Sequence, residues 1–116
     1  MTRVLTDTLC ETLPGAHWAG HEDGSHDCWK VCGKMFATIG MRNDGVSVKT
    51  ASVEDAAFLI EIGRAIKAPY HHGSWVRVPW GHVPDDELRD RLMTSYRLIR
   101  GSLTKKEQAT LAPIPD

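Results

Sequence analysis

Apolar positions along this chain change period several times, and each change predicts an element. From Thr2 to Leu13 the residues Val4, Leu5, Thr8, Leu9, Thr12 and Leu13 recur at helical spacing, and Pro14-Gly15 stops the run. A short strand follows over Ala16 to Ala19. After the polar, turn-rich stretch Gly20 to His26, the residues Cys28 to Gly40 read as two strands joined by a tight turn at Cys32-Gly33. Arg42-Asn43-Asp44-Gly45 is a further turn signal. Val46-Ser47-Val48-Lys49 then forms a strand with its valines on one face.

A second helix starts at Ser52, whose hydroxyl can cap the amide of Asp55, and it ends at Gly63. Its expected buried side is Val53, Ala56, Ala57 and Ile60, with Phe58 or Leu59. Ile66 to Tyr70 and Ser74 to Trp80 read as the last strands, connected through His71-His72-Gly73. A third helix runs from an Asp85 cap to about Arg100. Leu88, Leu92, Tyr96 and Ile99 make its apolar stripe, and Glu87 and Arg91 form an i, i+4 pair. Residues 104–116 read as a frayed tail after a single domain over 1–103.

Runs of strands with short turns between them imply a mainly antiparallel sheet with helices gathered on one face, an α+β fold. Leu9, Val31, Ile39, Val48, Ile60, Leu92 and Tyr96 should then share one core. In the central hairpin two arguments compete. Turn chemistry favours a two-residue Cys32-Gly33 loop, which sets Trp29 opposite Phe36. Hydrophobic pattern favours one more loop residue, which sets Val31 opposite Met35 and aligns Trp29, Val31, Met35, Ala37 and Ile39. A slip of one residue exchanges the faces, so burial should decide. That register leaves Lys30, Phe36 and Thr38 on the open face.

Composition narrows the function more than it names it. Apolar residues make up 41% of the 116 and charged residues 25%, the balance of a soluble globular domain. With 14 Lys plus Arg against 15 Asp plus Glu, the net charge of −1 announces no bulk polyanion binder, so any basic surface must be local. No run is long and apolar enough to span a membrane, and the start has no signal-peptide h-region. Three cysteines, an odd number, fit a reducing cytoplasm and free structural thiols.

Three chemistries can be weighed on the residues. His17, His21, His26, Cys28 and Cys32 lie close in sequence, but their spacing is not that of convergent zinc ligands, so no metal or cofactor is expected. Asp7 and Glu11 alone make a poor iron surface. Cys32 beside Lys34 could carry an activated thiol, yet no motif sets a base against it, and a turn residue is the simpler reading. Lys30, Lys34, Lys49 and Arg77 belong to strands or turns, while Trp75 and Phe36 offer flat aromatic faces. Such a set can hold nucleic-acid phosphates while an aromatic stacks.

Five stretches in order are also familiar. Leu13-Pro14-Gly15, Trp29-Lys30-Val31-Cys32-Gly33-Lys34-Met35-Phe36-Ala37, Val46-Ser47-Val48-Lys49-Thr50, Ser74-Trp75-Val76-Arg77-Val78, and Pro84 to Leu88 through Ser95-Tyr96-Arg97-Leu98 together resemble the MmcQ/YjbR-like family. The chain departs from it at Cys32, where glycine is usual, and at His71-His72, where a more basic segment often stands. The resemblance implies a CyaY-like, frataxin-like fold and a DNA-binding protein of the bacterial cytoplasm. The expectation is therefore a monomeric, non-enzymatic protein that binds DNA through Lys30, Lys34, Lys49, Trp75 and Arg77. The alternative is a protein-interaction module that docks a partner through the same tryptophan-bearing sheet.

Overall fold

The turn at Cys32-Gly33 sets the hairpin on which the sheet is built. Cys32 has φ 48° and Gly33 φ 80°. Both are left-handed, as a two-residue turn between twisted strands requires, and Gly33 adopts this without a Cβ clash. The structure, a computed structural model, describes residues 2–20, 26–40, 42–69 and 71–114. Its elements run α1 (Thr2–Thr12), β1 (Ala16–Gly20), β2 (His26–Val31), β3 (Lys34–Gly40), β4 (Gly45–Lys49), α2 (Val53–Glu61), β5 (Ile66–Lys67), β6 (Trp75–Pro79), α3 (Asp85–Gly101) and α4 (Lys105–Ala109). The strands make one antiparallel sheet in the order β1-β2-β3-β4-β6-β5. The stretch 21–25, with His21, lies outside the described residues.

Both register arguments hold, each over part of the hairpin. Val31 pairs with Lys34 and Lys30 with Met35, the pairing of a two-residue loop. From Trp29 outward the pairing shifts: Trp29 faces Ala37 and Cys28 faces Thr38, as the hydrophobic pattern requires. The extra residue is Phe36, a bulge on β3. This corrects two side chains. Phe36, expected on the open face, is fully buried and meets Tyr96 edge to face, with ring centroids 5.2 Å apart. Met35, expected in the core row, shares the Lys30 side and is half-buried.

The bulge also interrupts pairing between β3 and β4, whose ladder holds Ala37 with Val48 and Thr38 with Ser47. Ser95 of α3 fills the gap. Its hydroxyl donates to the Phe36 carbonyl at 2.5 Å and accepts from the Lys49 amide at 2.9 Å. A buried backbone group left unpaired costs about 1–3 kcal/mol, so this brace offsets what the bulge disrupts. At the far end of β4, Gly45 is required by space: a Cβ there would sit 2.7 Å from the Val78 carbonyl oxygen.

α1 and α3 cover the face that carries Val31, Phe36, Ala37, Val46, Val48, Val76 and Val78. The α3 stripe of Leu88, Leu92, Tyr96 and Ile99 is buried as its period predicts. Pro84, not Asp85, is its N-cap, and Glu87 pairs with Arg64 at 3.8 Å rather than with Arg91. On α1 the buried line is Thr6, Cys10 and Leu13, with Leu5 and Leu9 packed beside it; Val4, Thr8 and Thr12 are exposed. Arg3 explains this rotation. It bonds Asp7 and Asp27, and Asp7 accepts from the Trp29 indole at 2.9 Å, which clamps one flank of α1 to β2.

The largest departure is α2. Ser52 caps it through the Asp55 amide as expected, but Ala56 is its one buried residue. Val53, Phe58 and Ile60 are exposed, so Ile60 does not join the core. The C-terminal segment is not frayed over its length either. Thr104 and Glu107 form a capping box for α4, and Leu103, Leu111 and Ile114 pack on the core. Among the described residues no helix is long and apolar enough to cross a membrane.

Candidate nucleic-acid interface

The side of the sheet away from α1 and α3 follows from the register. One row crosses all six strands: Ala19, Cys28, Thr38, Ser47, Arg77 and Ile66. Two residues along the strands, a second row holds His17, Lys30 and Met35 on β1 to β3, and Lys49 and Trp75 on β4 and β6. Lys30, Lys49 and Arg77 therefore share this open face. At about 4.8 Å per strand and about 7 Å for two residues along a strand, Lys30 and Arg77 stand three strands apart and about 16 Å from each other at the backbone.

Each cation has a different setting. The Lys30 ammonium makes no hydrogen bond or ion pair among the described residues. Lys49 donates to the Ser74 hydroxyl at 2.8 Å. Arg77 approaches Ser47 Oγ at 3.5 Å through Nε and Asp44 at 3.9 Å through Nη1. Its Nη2 would lie 3.5 Å from a Cβ on Gly40, so the side chain arches over β4 toward β3. Beneath it, the buried Thr38 hydroxyl finds no partner among the described residues.

Two expected residues stand elsewhere. Lys34 pairs with Val31 at the hairpin tip, so it points to the helix side and does not share the open face. Trp75 is half-buried, and its ring is not a free platform. His71 stacks on it, with centroids 4.9 Å apart and planes at 20°, and the indole lines a groove with Val53, Ala57 and Ile60. Conversely, His17 and His71 bring imidazoles to the face and were missed. For His17 the signal was present, since alternation over Ala16 to Gly20 sets it opposite to Trp18.

One arrangement has the outline of a nucleophile. Ser74 Oγ lies 3.1 Å from His72 Nδ1 and 2.8 Å from Lys49 Nζ. Ser74 is only 3% exposed, though, and its neighbours are structural. His72 Nδ1 accepts the Ser74 amide, and the Ser74 carbonyl accepts both the amide and the hydroxyl of Thr50. The trio ties the start of β6 to the end of β4. The Cys28 thiol donates to the Ala19 carbonyl at 3.1 Å, and burial raises its pKa. Among the described residues no three His, Cys, Asp or Glu side chains converge as metal ligands.

Comparison with known proteins places this architecture. A crystal structure of the Deinococcus radiodurans protein DR2400, described with a DUF419 domain, is similar at TM-score 0.76 and 24% identity. The alignment covers 89% of this chain and 82% of that one, and it bears on the fold. No curated protein matches the chain. The sequence profile of the YjbR family matches residues 11–98, from the end of α1 through most of α3, and the chain belongs to that family.

Proposed function

We propose that this chain is a non-enzymatic DNA-binding protein of the cytoplasm, of CyaY-like fold, that holds the phosphate backbone on its open sheet face. The observation that supports this reading is the segregation of charge. Lys30, Lys49 and Arg77 share the open face. The carboxylates of the described residues sit on the helices, apart from Asp27, which is turned to Arg3 of α1, and Asp44 at the rim. A local cationic surface on a chain of net charge −1 is what phosphate contact needs. Its span of about 16 Å corresponds to roughly five base-pair rises of duplex.

Lysines on strands act as point charges, so the contacts would position the backbone rather than read bases. Fluorescence anisotropy with a labelled duplex and a labelled single strand at low salt tests the reading. Binding that weakens steeply as salt rises is the expected result. Absence of binding by the folded protein at low salt overturns it.

A further inference from the structure

Two side chains in the middle of the open face have hydrogen-bonding demands that the fold leaves unmet. Thr38 is 3% exposed on the side away from α1 and α3, and its Oγ1 has no partner among the described residues. Folded chains pair nearly every buried hydroxyl, so this one calls for a specific explanation. Arg77 is the second. Its side chain is 23% exposed, so most of it is out of water, yet both of its contacts are long. Nε stands 3.5 Å from Ser47 Oγ and Nη1 3.9 Å from Asp44. Charge-assisted bonds run at about 2.7–2.9 Å, so neither contact engages the guanidinium fork.

The register sets these two groups against each other. Thr38, Ser47 and Arg77 are successive members of one row across β3, β4 and β6. Gly40 lies two residues along β3 from Thr38 and on the same side. A side chain that starts on β6, passes Ser47 and brings Nη2 to Gly40 therefore lies over Thr38. Position 40 has no side chain, so the fork has room to shift there and admit another group to the hydroxyl.

A guanidinium only donates, and the Thr38 hydroxyl can donate beside it, so the matching ligand is an oxyanion. A planar carboxylate fills a two-pronged fork and stops there, whereas a tetrahedral group offers a further oxygen to a donor outside that plane. We propose that Arg77 and Thr38 seat one phosphate group, the guanidinium as the fork and the hydroxyl as a third donor. Lys30 and Lys49 in the neighbouring row add positive potential to the seat. Asp44 opposes it: exposed and at 3.9 Å, its carboxylate is a loose counter-ion that the phosphate displaces. The seat deepens the phosphate reading of the open face and rests on it where the phosphate is DNA's; the free ion carries the same chemistry.

Two titrations of the intact chain at low salt test the seat. Sodium phosphate is followed by the Arg77 Nε–H and Thr38 amide signals in heteronuclear NMR spectra, and a labelled duplex by anisotropy. Phosphate should bind saturably, one per chain, and move both signals. Arg77→Lys keeps the charge and removes the fork, and should weaken phosphate about tenfold. Thr38→Val keeps the shape and removes the hydroxyl, and should weaken phosphate about fivefold. Thermal stability of Thr38→Val should equal or exceed the parent's, because a buried unpaired oxygen is gone. Asp44→Asn should tighten phosphate. Duplex affinity that falls in the same two variants assigns the seat to the DNA backbone, and duplex affinity that ignores them assigns it to the free ion. No saturable phosphate binding by the folded chain, or phosphate affinity unchanged in Arg77→Lys or in Thr38→Val, overturns the seat even where the duplex binds. Saturable phosphate binding without duplex binding overturns the DNA reading and leaves the seat standing.

Discussion

Tyr96 donates its hydroxyl proton to the Pro14 carbonyl at 2.6 Å and so ties α3 to the exit of α1. The same oxygen accepts from Arg100 at 3.0 Å. One residue earlier, Ser95 reaches the other way, to the Phe36 carbonyl and the Lys49 amide. These adjacent side chains seat the helix at two points. Both lie in stretches that carry the family resemblance, as do Pro14 and Phe36. Part of what those motifs record is therefore how the helix is held.

Removing either tie should cost stability unequally. Tyr96→Phe strands one carbonyl and should cost about 1–2 kcal/mol. Ser95→Ala strands a carbonyl and an amide at the bulge and should cost about 2–4 kcal/mol. Urea unfolding checks both, with lower midpoints and unchanged slopes.

On the DNA reading, Lys30→Ala/Lys49→Ala/Arg77→Ala should flatten the slope of log K against log salt by up to about 2.7 units. Lys34→Ala should leave that slope unchanged, because Lys34 points to the helix side. Titrations of one duplex across a salt series measure both.

Trp75→Ala should act on folding rather than on phosphate contact. The ring packs against His71 and the α2 flank. Its loss should cost about 1–3 kcal/mol of stability, less than a full core truncation. The salt slope should stay as in the parent chain. Thermal unfolding beside the DNA titration separates the two effects.

The thiols should divide by position. Cys10 and Cys28 are buried, while Cys32 at the turn is half-exposed. A thiol reagent should modify Cys32 quickly in the native protein and all three in urea. Burial pushes the Cys10 thiol well above its ordinary range, with Asp7 adding to the rise. Below the ordinary thiol pKa of about 8.5 the group is neutral folded or unfolded and adds no pH dependence. Above it the unfolded chain releases the proton and the folded chain keeps it, so stability should fall as pH rises. Cys10→Ala should shrink that alkaline loss, read from urea midpoints at pH 8 and about pH 10.

Much of the fold was legible because period and turn chemistry agreed. The α3 stripe and the β4 valines needed nothing beyond their spacing. The hairpin misled only at Phe36 and Met35, where a bulge let two registers coexist and no local signal marks a bulge. α1 was misread by rotation, since the Arg3–Asp7–Asp27 clamp couples residues 24 apart. α2 was misread because its apolar positions were assumed to face this chain's own core. For the site, alternation located Lys30, Lys49 and Arg77, but the stack that occupies Trp75 joins a loop to a strand and leaves no periodic trace.

The double seating of α3 also bears on how the chain reaches its native state. Its ties close across 46, 59 and 82 positions, to Lys49, Phe36 and Pro14. The first two need β3 and β4 in place and the third needs the exit of α1, and long closures are entropically late events. α3 is thus the element that locks an assembled sheet. Weakening Ser95 or Tyr96 should accelerate unfolding far more than it slows refolding, so these two hydroxyls set the lifetime of the native state.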